Sequence, residues 1–274
     1  MLRSFSIALL SVLGVAALLY AAVLALLWFG QERLLFYPQP LAADARIVAD
    51  PDVREHFVEV PGARVSVLQL KLPNPKGVVF FLHGNGGNLA GWFTNTEFYR
   101  RANFDLVMMD YRGYGKSTGR IEGEAQLRGD AMAVWNRFAG EYEGRRLVVY
   151  GRSLGTALAA DLSAELAAQG RVPDLTVLVS PYTSMAALAD EHYPWVPRFV
   201  LRYGLDTRHY LEGVRGPVLL VHGDRDELIN AHHSERLAKA LPRAKLVVVK
   251  GAGHNDLHQF EPYREELARA LRAL

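Results

Sequence analysis

The chain has no cysteine in its 274 residues. That removes disulfides, thiolate nucleophiles, cysteine-ligated zinc and a lipidated N-terminal cysteine. It leaves the redox compartment open, because a cysteine-free chain tolerates either one. Strong charge of one sign is also missing. The formal net charge is +2, too small for a nucleic-acid surface. The sequence has no internal repeat and no low-complexity segment. Apolar residues are plentiful: 50% of the sequence is hydrophobic. That is enough core for one large α/β domain or two small ones.

Residues Ile7 to Phe29 are almost wholly apolar and uncharged. As a helix this run is about 34 Å long, enough to cross a hydrocarbon core of about 30 Å. Trp28, Phe29, Phe36 and Tyr37 follow at the expected interface. A cleaved signal peptide is the rival reading, but the run is long and no A-x-A site closes it. A buried globular helix needs protein on every side of an all-apolar surface. The expectation is a retained transmembrane anchor over residues 1–30, single-pass, as in a bacterial inner membrane. Charge leaves its orientation open: Arg3 precedes the span, and Arg33 and Arg46 follow it. So short an N-terminal tail tends to stay inside, which sets the globular domain outside the cytoplasm. Pro38, Pro40 and Pro51 read as a linker over 31–54, and residues 55–274 as one domain.

That domain opens with two strand-like runs, Phe57 to Val60 and Val65 to Leu70, joined by Pro61-Gly62. Apolar strands then alternate with helical patterns. The strands end at Leu82, Met109, Tyr150, Val179, His222 and Lys250; helices are expected near 90–101, 155–168 and 233–241 and from Pro262. Leu127, Ala131, Val134, Trp135 and Phe138 share one helix face and read as core. Such alternation signals a mostly parallel sheet covered on both faces. Between Ser180 and Gly216 the pattern lapses into prolines and aromatics, read as a short helical lid.

Sites in such sheets gather at the carboxyl ends of the strands. Five polar, glycine-rich loops sit there, carrying Asn85, Asp110, Ser153, Asp226 and His254. Gly151-Arg152-Ser153-Leu154-Gly155 is a strand that breaks into a helix at a serine. Serine at so sharp a turn is held in a strained conformation, and flanking glycines let neighbouring chain pass close. The turn also sets the Leu154 amide at a helix start, facing any developing oxyanion. A serine hydroxyl needs an imidazole base, held in one tautomer by a carboxylate. His254 follows the last strand and Asp226 the strand before it, and the order Ser153, Asp226, His254 suits a nucleophile elbow. A second oxyanion donor belongs in the loop after Leu82, at the Asn85 amide. His83, His222, His232, His233 and His258 are alternative histidines; His83 and His222 precede glycines at strand ends and read as loop braces. Asp224 and Asp256 compete with Asp226. Asp110 and Arg112 read as a loop-bracing ion pair, or as substrate ligands.

The strings His83-Gly84-Asn85-Gly86-Gly87-Asn88, Asp110-Tyr111-Arg112-Gly113-Tyr114-Gly115-Lys116-Ser117, Gly151-Arg152-Ser153-Leu154-Gly155, His222-Gly223-Asp224-Arg225-Asp226 and Gly253-His254 together resemble the α/β-hydrolase superfamily. With Ser180-Pro181-Tyr182-Thr183-Ser184 and Tyr193-Pro194-Trp195 they are similar to its small-lidded, N-terminally membrane-anchored branch of protein depalmitoylases and bacterial serine hydrolases. The resemblance covers about residues 55–270. It implies an eight-stranded, mostly parallel sheet whose second strand is antiparallel, with helices on both faces. It implies Ser153 as nucleophile, Asp226 as acid, His254 as base, Asn85 and Leu154 as oxyanion donors, and no metal or organic cofactor. Depalmitoylases of this branch are tethered by acylated N-terminal cysteines, and this chain has none.

Two classes of function follow. One is a serine hydrolase cleaving an ester, thioester or amide through an acyl-enzyme, with a small-molecule, lipid-like or acylated substrate. A serine aminopeptidase falls within that chemistry; an aspartate nucleophile is excluded by serine at the elbow. The other is a catalytically silent hydrolase fold used for binding. Oligomeric state is not legible in the sequence.

Overall fold

Eight strands form one sheet in the computed structural model, which describes residues 2–274. Met1 and the side chains of residues 2–4, Arg3 among them, lie outside the described residues. In chain order the strands are β1 (Val53–Val60), β2 (Ala63–Leu70), β3 (Gly77–Leu82), β4 (Phe104–Met109), β5 (Arg146–Arg152), β6 (Leu175–Val179), β7 (Val218–Gly223) and β8 (Ala244–Val249). They lie in the order β8-β7-β6-β5-β3-β4-β2-β1. β2 runs antiparallel to β1 and β4, and the other pairs are parallel. Pro61-Gly62 closes the β1–β2 hairpin, with Gly62 at φ 76°.

The helices are α1 (Leu2–Leu35), α2 (Thr96–Ala102), α3 (Glu124–Ala139), α4 (Gly155–Ala168), α5 (Met185–His192), α6 (Thr207–Gly213), α7 (His232–Ala240) and α8 (Glu261–Arg272). Alternate residues of each central strand feed two cores. Val78, Phe80 and Leu82 of β3 pack with Trp135 and Phe138 of α3, Leu158 of α4 and Leu237 of α7. Val79 and Phe81 pack with Tyr99 of α2 and with Leu267 and Leu271 of α8. Burial on both faces explains why these strands read as unbroken apolar runs. Buried Ala157, Ala159 and Ala160 let α4 lie close on the sheet.

From β3 the chain goes to β4 on one side and then returns to β5 on the other. This switch point opens a crevice at the carboxyl ends of β3 and β5, where ligands collect in doubly wound sheets. The Asn85 and Ser153 loops flank it.

α1 is apolar and its spanning stretch is unburied by the rest of the chain, consistent with a single membrane-spanning anchor. Three expectations need correction. The helix expected over 90–101 is broken: one turn spans Leu89–Trp92, and α2 starts after Asn95, which sits at φ 58°. The stretch read as a linker over 31–54 is docked, not free. Tyr37 and Pro38 pair in parallel with Gly86 and Gly87, and Phe36 is buried edge-on against Tyr203, ring centroids 5.2 Å apart. The lid expected over 180–216 ends earlier. α6 belongs to the body: Leu211 is buried, and a Cβ on Gly213 would lie 2.8 Å from the Ala164 Cβ of α4.

Candidate active site

Ser153 stands at the turn from β5 into α4 with φ 52°, a left-handed value that costs a side-chain-bearing residue energy. Its amide donates to Val179 O of β6 at 2.9 Å, which ties the elbow to the neighbouring strand. The flanking glycines have separate jobs. A Cβ on Gly155 would run into the Leu82 carbonyl, and one on Gly151 would lie 2.7 Å from the Ala159 Cβ. β3, β5 and α4 therefore meet too closely for any larger residue at either position.

The loops after β7 and β8 are laced together by backbone. Arg225 N donates to Ala252 O at 2.9 Å, and a Cβ on Gly223 would strike that same carbonyl. The rival aspartates are both engaged, Asp224 between the two loops and Asp256 within the second. Asp224 Oδ1 accepts from Gly251 N at 2.6 Å, and Asp256 Oδ1 accepts from Gly253 N at 2.7 Å. Asp226 is left to face the site. Its Oδ1 accepts from the Leu228 and Ile229 amides at 3.0 and 2.8 Å, and its Oδ2 lies 2.7 Å from His254 Nδ1. Burial pushes this carboxyl up, but hydrogen bonds from His222 and His254 outweigh burial and hold it well below the usual carboxylate range. An ionised carboxylate only accepts, so His254 Nδ1 bears a proton and Nε2 is turned to Ser153 Oγ, 3.0 Å away.

Asn85 and Leu154 line the same cavity as Ser153. The Gly84–Asn85 peptide is oriented by His83, whose Nδ1 donates to Gly84 O at 2.7 Å. Asn85 O accepts from Tyr37 N at 2.8 Å and from Tyr114 Oη at 2.6 Å. Among the described residues no protein oxygen accepts from the backbone N–H of Asn85 or Leu154. The crevice thus holds a hydroxyl, an imidazole, a buried carboxylate and two unengaged amides, the parts that acyl transfer requires.

Other sequence candidates lie elsewhere. His222 donates from Nε2 to Ile229 O at 2.7 Å and backs Asp226 at 3.3 Å, bracing the acid loop. Arg112 pairs with Asp130 at 2.6 Å and not with Asp110, whose Oδ1 accepts from the Leu89 amide at 3.0 Å. The expected Asp110–Arg112 pair is therefore not formed: Arg112 points to α3, across which Asp130 offers a buried partner. Sequence reasoning missed the work of Tyr111 and Tyr114. Their hydroxyls hold His83 O at 2.8 Å and Asn85 O at 2.6 Å. Two tyrosines three apart in a glycine-rich loop were the available signal. It also missed Leu27, Gln31 and Leu34 of α1, which line the cavity with Ser153.

The cavity measures about 450 Å³ and is walled mainly by apolar side chains of α1, α5 and the lid. Of the lid aromatics, Tyr182 and Tyr203 are buried, while Tyr193 and Trp195 line the cavity half-exposed. A second cavity of about 310 Å³ is lined by Trp92, Tyr150, Arg152, His258 and Tyr263 and touches none of Ser153, Asp226 and His254. Among the described residues Glu191, His232 and His233 are close enough to suggest a metal. His233 does not fit that role. Its Nδ1 accepts from Thr183 N at 3.2 Å, so Nε2 bears the proton and donates to Glu191 at 3.1 Å. The cluster reads as a latch between α5 and α7.

Residues 73–209 match the family model described as Serine aminopeptidase, S33, and residues 198–260 the one described as alpha/beta hydrolase fold. An uncharacterized protein of Mycobacterium tuberculosis is 32% identical over 256 residues, 90% of this chain and 88% of that one. Alpha/beta hydrolase domain-containing protein 17B of Homo sapiens is 30% identical over 214 residues, 75% of this chain and 70% of that one. Among solved structures, an alpha-beta hydrolase from Vibrio vulnificus superposes with a TM-score of 0.68 at 20% identity, over 80% of this chain and 81% of that one.

Proposed function

Because the chain belongs to the α/β-hydrolase superfamily, we propose that it is a membrane-anchored serine hydrolase that cleaves an ester or thioester through an acyl-enzyme. The reading rests on one observation, the relay from Ser153 Oγ to His254 Nε2 at 3.0 Å and from His254 Nδ1 to Asp226 Oδ2 at 2.7 Å. Ser153 attacks the acyl carbon as His254 takes its proton. The Asn85 and Leu154 amides bind the oxyanion, and Asp226 orients the ring and stabilises the imidazolium. His254 then protonates the leaving group, and water, activated by the same imidazole, releases the acyl group.

The apolar walls of the cavity favour a lipid-like or acylated substrate. An aminopeptidase would need a carboxylate to hold the substrate's α-ammonium, and among the described residues none lines this cavity. No metal or organic cofactor is needed for these steps. A globular domain outside the cytoplasm is the orientation to test, with a reporter fused after Leu274.

The test of the mechanism is fluorophosphonate labelling and esterase turnover of the detergent-solubilised protein. Ser153→Ala is expected to abolish labelling and to lower kcat/KM by a factor on the order of 10⁴ or more, with folding unchanged. A Ser153→Ala protein that keeps full turnover refutes the assignment, and so does wild type that takes no label.

A further inference from the structure

α1 contributes more than attachment. Leu27, Gln31 and Leu34 recur at helical spacing and turn one stripe of its last two turns into the cavity that holds Ser153. The same end of α1 grips the candidate oxyanion loop. Asn85 Nδ2 donates to Leu35 O at 3.3 Å, Tyr37 N donates to Asn85 O, and Asn88 Nδ2 donates to Gln39 O at 2.7 Å.

The lid lies along the anchor as well. Gln31, buried, donates to Val200 O at 3.0 Å and accepts from Arg202 N at 2.7 Å. Further out, Tyr20 Oη donates to Trp195 O at 2.8 Å. Tyr20 precedes the end of the apolar run at Phe29 by nine residues, about 14 Å along the helix. By that contact the lid tip lies against the apolar stretch of α1. Its Tyr193, Trp195 and Phe199 are 58%, 52% and 73% exposed, surface that lipid would cover. Arg198 between them is neutralised by Asp190.

We propose that the cavity opens into the bilayer between α1 and the lid, and that it takes the acyl chain of a lipid ester resident in that bilayer, laid along the Leu27–Leu34 stripe with its carbonyl at Ser153. This rests on the serine hydrolase reading above and adds the route and the source of the substrate. Water-exposed acyl groups are then poor substrates, because the mouth does not face water. Long chains are favoured over short ones, since each buried methylene is worth roughly fourfold in kcat/KM until the cavity is full.

The experiment uses the full chain in nanodiscs and two esters with one leaving group, umbelliferyl acetate and umbelliferyl palmitate. Leu34→Trp fills the inner stripe, and half-exposed Leu34 tolerates the larger side chain. The palmitate-to-acetate ratio of kcat/KM is expected to fall at least tenfold, about two methylenes of lost burial. Leu27→Ala, which enlarges the cavity, is expected to move the preferred chain length upward. Ratios and chain preference unchanged within twofold in both variants overturn the proposal. The source is tested with glycerol monopalmitate held in the nanodisc against an S-palmitoyl peptide in water. Preference for the bilayer-held ester is expected, and preference for the peptide overturns a lipid source. Failure of the underlying hydrolase reading looks different: Ser153→Ala would then hydrolyse acetate as fast as wild type.

Discussion

The contact between anchor and lid is quantifiable at one residue. Gln31→Leu keeps the side-chain volume nearly constant, so no cavity opens and the loss is confined to two hydrogen bonds. Gln31 Nε2 donates to Val200 O at 3.0 Å, and its Oε1 accepts from Arg202 N at 2.7 Å. Val200 is 3% exposed, so its carbonyl has no water to replace the lost donor, at about 1–3 kcal/mol. Arg202 is partly exposed, and water recovers most of its amide, leaving about 0.5–1 kcal/mol. The sum is about 1.5–4 kcal/mol against the closed lid. At about 1.4 kcal/mol per tenfold, local opening becomes roughly 10–700 times more frequent. Hydrogen exchange followed by mass spectrometry on nanodisc-held protein reads this directly in peptides covering 196–206. β5 peptides serve as the internal reference and should not change. Gln31→Glu keeps the acceptor for Arg202 N and loses the donor to Val200 O, so most of the effect is expected there too. Exchange in 196–206 within threefold of wild type for Gln31→Leu would refute the view that this side chain fastens the lid to the anchor.

Two glycine substitutions are expected to have opposite signs. Gly155→Ala drives a methyl into the Leu82 carbonyl, backbone against backbone, and should cost about 3 kcal/mol or more in chemical denaturation. Gly129→Ala, in the exposed interior of α3 with open space at its Cβ, should instead stabilise by about 0.5–1 kcal/mol. For pH, the depressed Asp226 carboxyl stays ionised in the fold above the usual carboxylate range. Its contribution to stability is present above the unfolded carboxyl pKa and is lost as pH falls through the lower folded one. Between about pH 4 and about pH 8 Asp226 should therefore add no slope to the acid limb of log kcat/KM, which stays no steeper than one. A slope of two would mean that Asp226 titrates in that range.

The elements legible in the sequence were those whose signal is local. Val78 to Leu82 and Leu147 to Tyr150 read as strands because both of their faces are buried, one under α3 and α4 and the other under α2 and α8. The elbow read correctly as a strained turn because the strain sits on Ser153 itself, at φ 52°, and a Cβ on Gly151 would meet the Gly155 carbonyl of the same string; the demand at Gly155, by contrast, comes from the Leu82 carbonyl of β3. Asn95 and Arg112 were not legible. Asn95 breaks the helix, yet the one glycine in the stretch, Gly91, lies inside the turn Leu89–Trp92 and not at the break, so the sequence marks the break with no glycine or proline. Arg112 had two acids within reach, and only the packing of α3 decides for Asp130 over Asp110. Periodicity reports that a side chain is buried; it is silent on which partner buries it.

The same limit explains why the anchor's part in the site escaped sequence reasoning. Gln31 and Glu32 follow an apolar span, where polar residues ordinarily mark the emergence of a helix into the headgroups. Nothing in their spacing separates that reading from a helix end that stays covered by protein. The partners decide it, and they lie far away in the chain: Val200, Arg202 and Tyr203 for the lid, and Asn85 and Gly86 for the crevice loop. A tether needs none of these contacts, because a flexible segment after the span would hold the domain at the membrane equally well. Instead residues 37–39 are bonded along the loop that carries Asn85, Leu41 is bonded to Gly115 of the next loop, and α1 supplies a wall of the cavity. The crevice loop and the lid are therefore each joined directly to the end of α1 by hydrogen bonds, and the span is continuous with the wall of the site.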